Sequence, residues 1–172
     1  MAHEIDFTTQ AQGSAMFAYT PAWHGHGTVV SEAQTSADAL RIAGMDWDVA
    51  LTDLEAVMPD GTRRAVGTHR ATYRMDTGMA LGAVGLRYQP LQNREAFAWM
   101  DEVVGESLAI WHTCGSLRGG RSVWMLAKLP GNIEVTNADV LDKYVLITNS
   151  HDGTGAVRLF PTSVRVVCAN TL

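Results

Sequence analysis

The chain has 172 residues, of which 47% are hydrophobic, and it carries a formal net charge of −5 at pH 7. This length is enough for one ordinary hydrophobic core. No stretch approaches the roughly 18 uninterrupted apolar residues of a membrane-spanning helix, and the N-terminus lacks the basic and apolar segments of a signal peptide. The composition therefore predicts a cytoplasmic protein without a membrane partner, and the negative charge argues against a surface that attracts nucleic acid everywhere.

The N-terminal part of the chain has no regular hydrophobic period. Residues 1–30 mix Gln, Thr, Ser, Gly and Ala, which predicts an irregular N-terminal arm ahead of a single α+β domain at residues 31–172. A short helix is expected at about residues 36–43, because Thr35 or Ser36 can cap its start and Gly44 can end it.

The segment from Trp47 to Gly85 carries the signals of strands separated by turns at residues 59–61 and 76–78. This pattern predicts a β-meander. The alternation in "RATYRM" indicates a strand with one solvent-exposed face, which carries Arg70, Thr72 and Arg74.

The period then becomes helical. Apolar residues recur at helical spacing over about residues 93–104 and predict one main amphipathic helix. Four β-rich runs follow, "LAIWHTCGS", "RSVWMLAKL", "KYVLITNSH" and "AVRLFPTSVRVVCA". The predicted fold class is α+β, with antiparallel β-meander sheets, the main helix packed on one sheet face, and the short helix near residue 40.

Arginines and aromatic residues lie close together in these last runs. Arg118-Gly119-Gly120-Arg121 is expected to form a tight turn with a mobile tip. The candidate nucleic-acid-binding residues are Arg118, Arg121, Arg158, Arg165, Trp111 and Trp124. Guanidinium groups that contact phosphate, together with rings on which bases stack, are typical of single-strand binding. Arginines on wet strand faces and tryptophans in the core would give the same sequence, so this alternative stays open.

Histidines form a second candidate site. His24 and His26 are two residues apart in "WHGHG", and "SHDG" supplies His151 and Asp152. Neutral imidazole and carboxylate groups suit zinc, manganese or iron. The spacing is not diagnostic, and histidines with a structural or loop role are the alternative.

Cys114 and His112, two apart in "WHTCG" and expected on the same strand face, suggest a nucleophile and its base. Nothing in the neighbouring sequence marks an elbow or an oxyanion loop. A buried structural cysteine is the ordinary interpretation.

Several ungapped blocks resemble a known family. They are "PAWHGHGTVVSEAQTSADALRIAGMDWDV", "GLRYQPLQNREAFAWMDEVVGE", "GSLRGGRSVWMLAKLP" and "YVLITNSHDGTGAVRLFPTSVRVVCANTL". They resemble the phage/plasmid-like protein family, domain-of-unknown-function family 932, from about Pro21 onward. The resemblance implies a phage, prophage or plasmid origin, and hence the cytoplasm of a bacterial host, but it brings no catalytic residues. Family members are typically longer, with a further helical portion, so it also allows this chain to be the N-terminal part of a longer protein.

A weaker likeness exists at the level of topology. A helix followed by a β-hairpin and further strands is similar to the core of ring-forming single-strand annealing proteins such as RecT and Redβ, although fold does not establish function. We therefore expect an oligomeric single-stranded DNA-binding or annealing protein that needs no cofactor and no catalysis. A structural or host-interaction phage protein is the first alternative, and a metal-dependent enzyme acting on nucleic acid or nucleotides is the second.

Overall fold

The computed structural model describes residues 4–19, 25–31, 35–106, 110–136 and 139–165. The elements in chain order are β1 (Ala15–Ala18), β2 (Thr28–Val30), α1 (Ser36–Ile42), β3 (Val49–Val57), β4 (Arg63–Arg74), β5 (Ala80–Gly85), α2 (Asn93–Glu106), β6 (Ile110–Leu117), β7 (Ser122–Thr136), β8 (Asp139–Ser150) and β9 (Arg158–Arg165). Among the described residues, no helix is long and apolar enough to cross a membrane.

The strands form two sheets. The larger sheet has the order β2-β1-β6-β7-β8-β9, and the smaller is the meander β3-β4-β5. Neighbouring strands are antiparallel, apart from the parallel pair β1 and β2. The predicted α+β fold with antiparallel meanders and two helices is confirmed.

Both helices lie on one face of the larger sheet and pack their apolar sides against it. The Thr35 side chain accepts a hydrogen bond from the Asp38 amide and caps α1. The helices are also joined to each other, because Asp101 of α2 accepts hydrogen bonds of 2.7 Å from both the amide and the hydroxyl of Ser36. The main cluster of buried side chains lies here and includes Met16, Leu40, Trp47, Phe97 and Trp111.

The opposite face of the larger sheet carries a second, smaller cluster. It consists of Ala15, Phe17, Trp124, Leu126 and Tyr144. Strand residues alternate between the two clusters, with Trp124 and Leu126 of β7 on this face and Val123 and Met125 on the helix face. We call this side of the sheet the outer face.

The expected irregular arm contains two strands, β1 and β2, which corrects the prediction for residues 1–30. All four residues of β1 are buried, and β1 lies between β2 and β6, with Met16 opposite Cys114. The apolar run Ala15–Ala18 is too short to show a period, so only its pairing partner reveals it as a strand.

The prediction of a solvent-exposed face on β4 is wrong near the end of the strand. Thr72 and Arg74 are fully buried, whereas Met75 is 61% exposed. Thr72 is buried because it lies against the connection after β8, where its hydroxyl donates to the carbonyl oxygen of His151 at 2.7 Å. Contact between the two sheets therefore overrides the local alternation of polar and apolar residues.

The distal halves of β3 and β4 extend beyond the rest of the smaller sheet. The register of this pair shifts between Asp53 and Glu55, and β5 pairs with β4 only at residues 69–73. Side chains at residues 53–69 are exposed or half-buried throughout, and Val57 is 70% exposed. We call residues 53–69 the β-ribbon.

Candidate nucleic-acid interface

A tight turn joins β6 to β7, as predicted. Arg118, Gly119 and Gly120 all have positive φ angles, of 54°, 70° and 102°. A left-handed conformation at three successive positions favours glycine, and the chain places glycine at two of them. We call residues 118–121 the hairpin tip.

The hairpin tip packs closely against neighbouring segments, whereas the sequence predicted a mobile tip. Gly120 is buried, and a Cβ atom there would lie 3.0 Å from both Arg74 and Trp47. A Cβ atom on Gly119 would lie 2.6 Å from the sulfur of Met79. At position 120 the contacts with buried side chains and the positive φ angle together favour glycine, whereas at position 119 the exposed Met79 side chain can move aside.

Arg74, at the end of β4, contacts the hairpin tip. Its guanidinium group is fully buried and is paired with Asp6, which is also buried, and with Asp76. The same group donates to the carbonyl oxygen of Gly119 at 3.4 Å and lies 4.3 Å from the centre of the Trp47 ring. Arg74 thus connects the N-terminal segment, the meander and the hairpin tip.

A cleft of about 250 Å³ opens beside the tip, on the outer face. Its lining includes Ser122 and Trp124 of β7, Thr148 of β8, and Arg158 of β9. Trp124 is directly opposite Thr148, and Thr148 is directly opposite Arg158, so these three side chains form one row across neighbouring strands. The row brings an aromatic ring, a hydroxyl and a guanidinium group into one concave surface.

Three arginines lie at or near the cleft. Arg118 donates to the Ser122 hydroxyl at 2.7 Å and is 3.6 Å from Glu4. Arg121 and Arg158 are exposed, and within the described residues neither side chain has a hydrogen-bond or ion-pair partner. These two cations are therefore available to an anion.

The loop beside the cleft carries a carboxylate, Asp152. Burial raises its pKa, but hydrogen bonds from Ser150 and Thr154 and the charge of Arg118 outweigh burial, so its pKa lies below the ordinary value. The group stays ionised at neutral pH and braces its own turn, because Oδ1 accepts from the Thr154 amide at 2.9 Å.

The other three predicted nucleic-acid-binding residues, Trp111, Trp124 and Arg165, contribute little or nothing to the cleft surface. Trp111 is 1% exposed on the helix face and donates to Asp101, so it offers no ring to a base. Trp124 does line the cleft, but it is only 9% exposed. Arg165 lies seven residues along β9 from Arg158, about 23 Å for an extended strand. Its side chain is outside the described part of the structure.

The predicted metal site is not assembled among its described members. His26 contacts the Phe7 ring edge-on, and His151 is buried with Nε2 at 2.8 Å from Asn93. The Asp152 carboxylate braces its own loop, and His24 falls outside the described residues. Nowhere in the described part of the chain do three or more His, Cys, Asp or Glu residues form a group that could hold a metal.

A β-bulge separates Cys114 from His112. The register of β6 and β7 shifts between Trp111 and Thr113, so His112 contacts Tyr144 on the outer face while Cys114 lies in the cluster on the helix face. The expectation that they share a face is therefore wrong. Burial raises the pKa of the Cys114 thiol to about 12, which leaves it protonated and unsuited to nucleophilic attack.

Comparison with known families gives one match. The family model described as "Domain of unknown function (DUF932)" matches residues 80–172, more than half of the chain. The chain belongs to the DUF932 family. The part that matches DUF932 begins at β5 and contains both the hairpin tip and the cleft. No curated protein and no solved structure gives a significant match.

Two features of the site were not found from the sequence. Thr148 could have been placed on the outer face from the period-two alternation of "KYVLITNSH", which puts it beside Tyr144 and Leu146. The burial of Arg74 has no local signal, since it depends on Asp6, which is distant along the chain.

Proposed function

We propose that this DUF932 protein binds single-stranded DNA along the hairpin tip and the cleft. The observation that carries the proposal is an exposed arginine, Arg158, in the lining of a cleft that has an aromatic residue in its floor. A second exposed arginine, Arg121, directly precedes the lining residue Ser122, and neither arginine has a partner among the described residues. Guanidinium groups bind phosphate through several donors in a planar fork. Aromatic surface adds contact with bases of any sequence.

The binding surface is local, because the whole chain carries a net charge of −5. Each arginine that contacts a phosphate releases counterions from the strand, so the affinity should fall as the salt concentration rises. The close packing of the tip favours binding as well, since little backbone conformational entropy is lost there, and only the exposed arginine side chains have to be ordered.

Single-strand annealing in an oligomer is the form of this activity that we favour. It rests on the topology of a helix followed by a hairpin and further strands, and it requires no cofactor. We place the activity in the cytoplasm of a bacterial host, in a protein of phage or plasmid origin.

The test is the anisotropy of a labelled oligonucleotide of about 30 nucleotides, titrated at several salt concentrations. Arg121→Ala and Arg158→Ala should each weaken binding and should each reduce the slope of log K against log salt by about 0.7. Arg64→Ala is the matched control, because Arg64 is also exposed but lies on the β-ribbon. Absence of binding by the wild type at low salt, or equal losses in all three variants, would contradict the proposal.

A structural or host-interaction role is the second candidate, and exposed apolar side chains favour it. Val57 on the β-ribbon is 70% exposed, and Met75 and Met79 are 61% and 39% exposed. Such surface suits contact with another protein. A stable assembly of this chain that ignores oligonucleotides at low salt would favour this candidate over the first.

A further inference from the structure

The cleft contains unused hydrogen-bonding groups beside an apolar floor. Asn149 donates to the carbonyl oxygen of Leu91, while the hydroxyls of Ser150 and Thr154 are engaged with Asp152. The Thr148 hydroxyl, by contrast, has no partner within the described residues and lies in the lining. It is therefore available to a ligand.

Two further groups complete the set. The Ser122 hydroxyl accepts from Arg118 at 2.7 Å, which leaves its own proton free to donate. Arg158 lies at the end of the cross-strand row, beyond Thr148. The cleft thus offers donors and acceptors in its interior and a cation at its margin.

The size and lining of the cleft limit what it can hold. Its volume of about 250 Å³ is just below the lower limit of about 300 Å³ for typical small-molecule pockets, so it suits one nucleotide unit rather than two. Leu117 and Trp124, both on the outer face, give the floor its apolar surface. A free phosphate would leave this apolar surface unused, whereas a base would cover it.

We propose that the cleft receives one unstacked nucleotide of the bound strand. The base contacts Trp124 by an edge, because only 9% of that side chain is exposed. The Thr148 and Ser122 hydroxyls bond the polar edge of the base, and Arg158 contacts the adjacent phosphate. This inference rests on the proposed binding of single-stranded DNA and assigns to it a contact with a base, which the arginines alone do not provide.

The experiment compares two labelled strands of about 12 nucleotides, one of thymidylate and one of abasic residues. Both carry the same phosphates, so the ratio of their dissociation constants isolates the contribution of the bases. The wild type should prefer thymidylate by about tenfold. Thr148→Val removes the hydroxyl and keeps the β-branched shape, so it should reduce this preference by about threefold. Thr52→Val, at an exposed position on β3, is the matched control and should leave the preference unchanged.

The outcomes separate the two proposals. Equal affinity of the wild type for both strands would overturn the nucleotide site while leaving phosphate binding intact. An unchanged preference in Thr148→Val would likewise overturn it. Failure of the wild type to bind either strand at low salt would overturn the proposed function and the inference together.

Discussion

Replacement of Arg74 with methionine should destabilise the protein severely. Arg74 and Asp6 are both fully buried and are paired with each other. Methionine would leave the Asp6 carboxylate inside the protein with hydrogen bonds only from the Thr8 amide, at 2.8 Å, and the Ser116 hydroxyl, at 3.2 Å. Loss of one partner of a buried ion pair costs about 3–5 kcal/mol.

The cost can be measured by urea denaturation followed by circular dichroism. A typical domain has a free energy of unfolding of about 5–15 kcal/mol, so the variant should lose a large part of its stability. Arg63→Met is the control, because Arg63 is 73% exposed and its 3.5 Å contact with Glu55 should be worth less than about 1 kcal/mol.

A double-mutant cycle separates the ion pair from the general loss of packing. Asp6→Asn in the Arg74→Met background should cost much less than it does alone, because the unpaired charge has already lost its partner. A loss below about 1 kcal/mol for Arg74→Met, or strict additivity of the two changes, would refute the reasoning.

Three further predictions concern buried groups. Burial lowers the pKa of His151 to about 4, from an ordinary value of 6.5. Because the unfolded chain therefore binds the proton more tightly, the free energy of unfolding should fall by about 3 kcal/mol as the pH drops from 7 to 4. In His151→Gln, the denaturation midpoint should change less with pH over that window. Gly120→Ala should cost about 2–4 kcal/mol through its positive φ and close neighbours, whereas Gly61→Ala, whose φ is also positive but which has open space around it, should cost about 1 kcal/mol in the same denaturation assay. The sequence has one other cysteine, Cys168. When Cys168 is replaced by serine, Cys114 should react with a thiol reagent only after denaturation, and rapid reaction of the native protein would contradict its burial.

The elements whose ends are set by turn and capping residues were predictable from the sequence. The turns at residues 59–61 and 76–78 defined the meander, and Thr35 defined the start of α1, because turn and capping residues act locally. The tight turn at Gly119 and Gly120 was predictable for the same reason. Each of these depends only on residues close together along the chain.

Contacts between distant segments could not be predicted in this way. The local sequence predicts that Arg74 lies on a solvent-exposed strand face, and its burial depends on the ion pair with Asp6. The sequence around β1 likewise predicts a loop, and the strand depends on pairing with β6. The bulge after Trp111 likewise moves His112 to the face opposite Cys114, although a regular strand would place them together. The cleft forms only when β7, β8 and β9 pair in register. The sequence therefore suggested its arginines and Trp124, but it did not identify Thr148, and it did not show that Trp111 and Arg165 lie away from the cleft.

Photochemical cross-linking tests the account most directly, because it reports where a strand lies on the protein. A single-stranded oligonucleotide carrying a photoreactive thymidine analogue would be irradiated with the protein at low salt, and the attached peptides identified by mass spectrometry. The account predicts cross-links to β7 and β8 around Trp124 and Thr148, and their loss in an Arg121→Ala/Arg158→Ala double variant. Cross-links confined to the β-ribbon, or none above the level of a control protein, would contradict it.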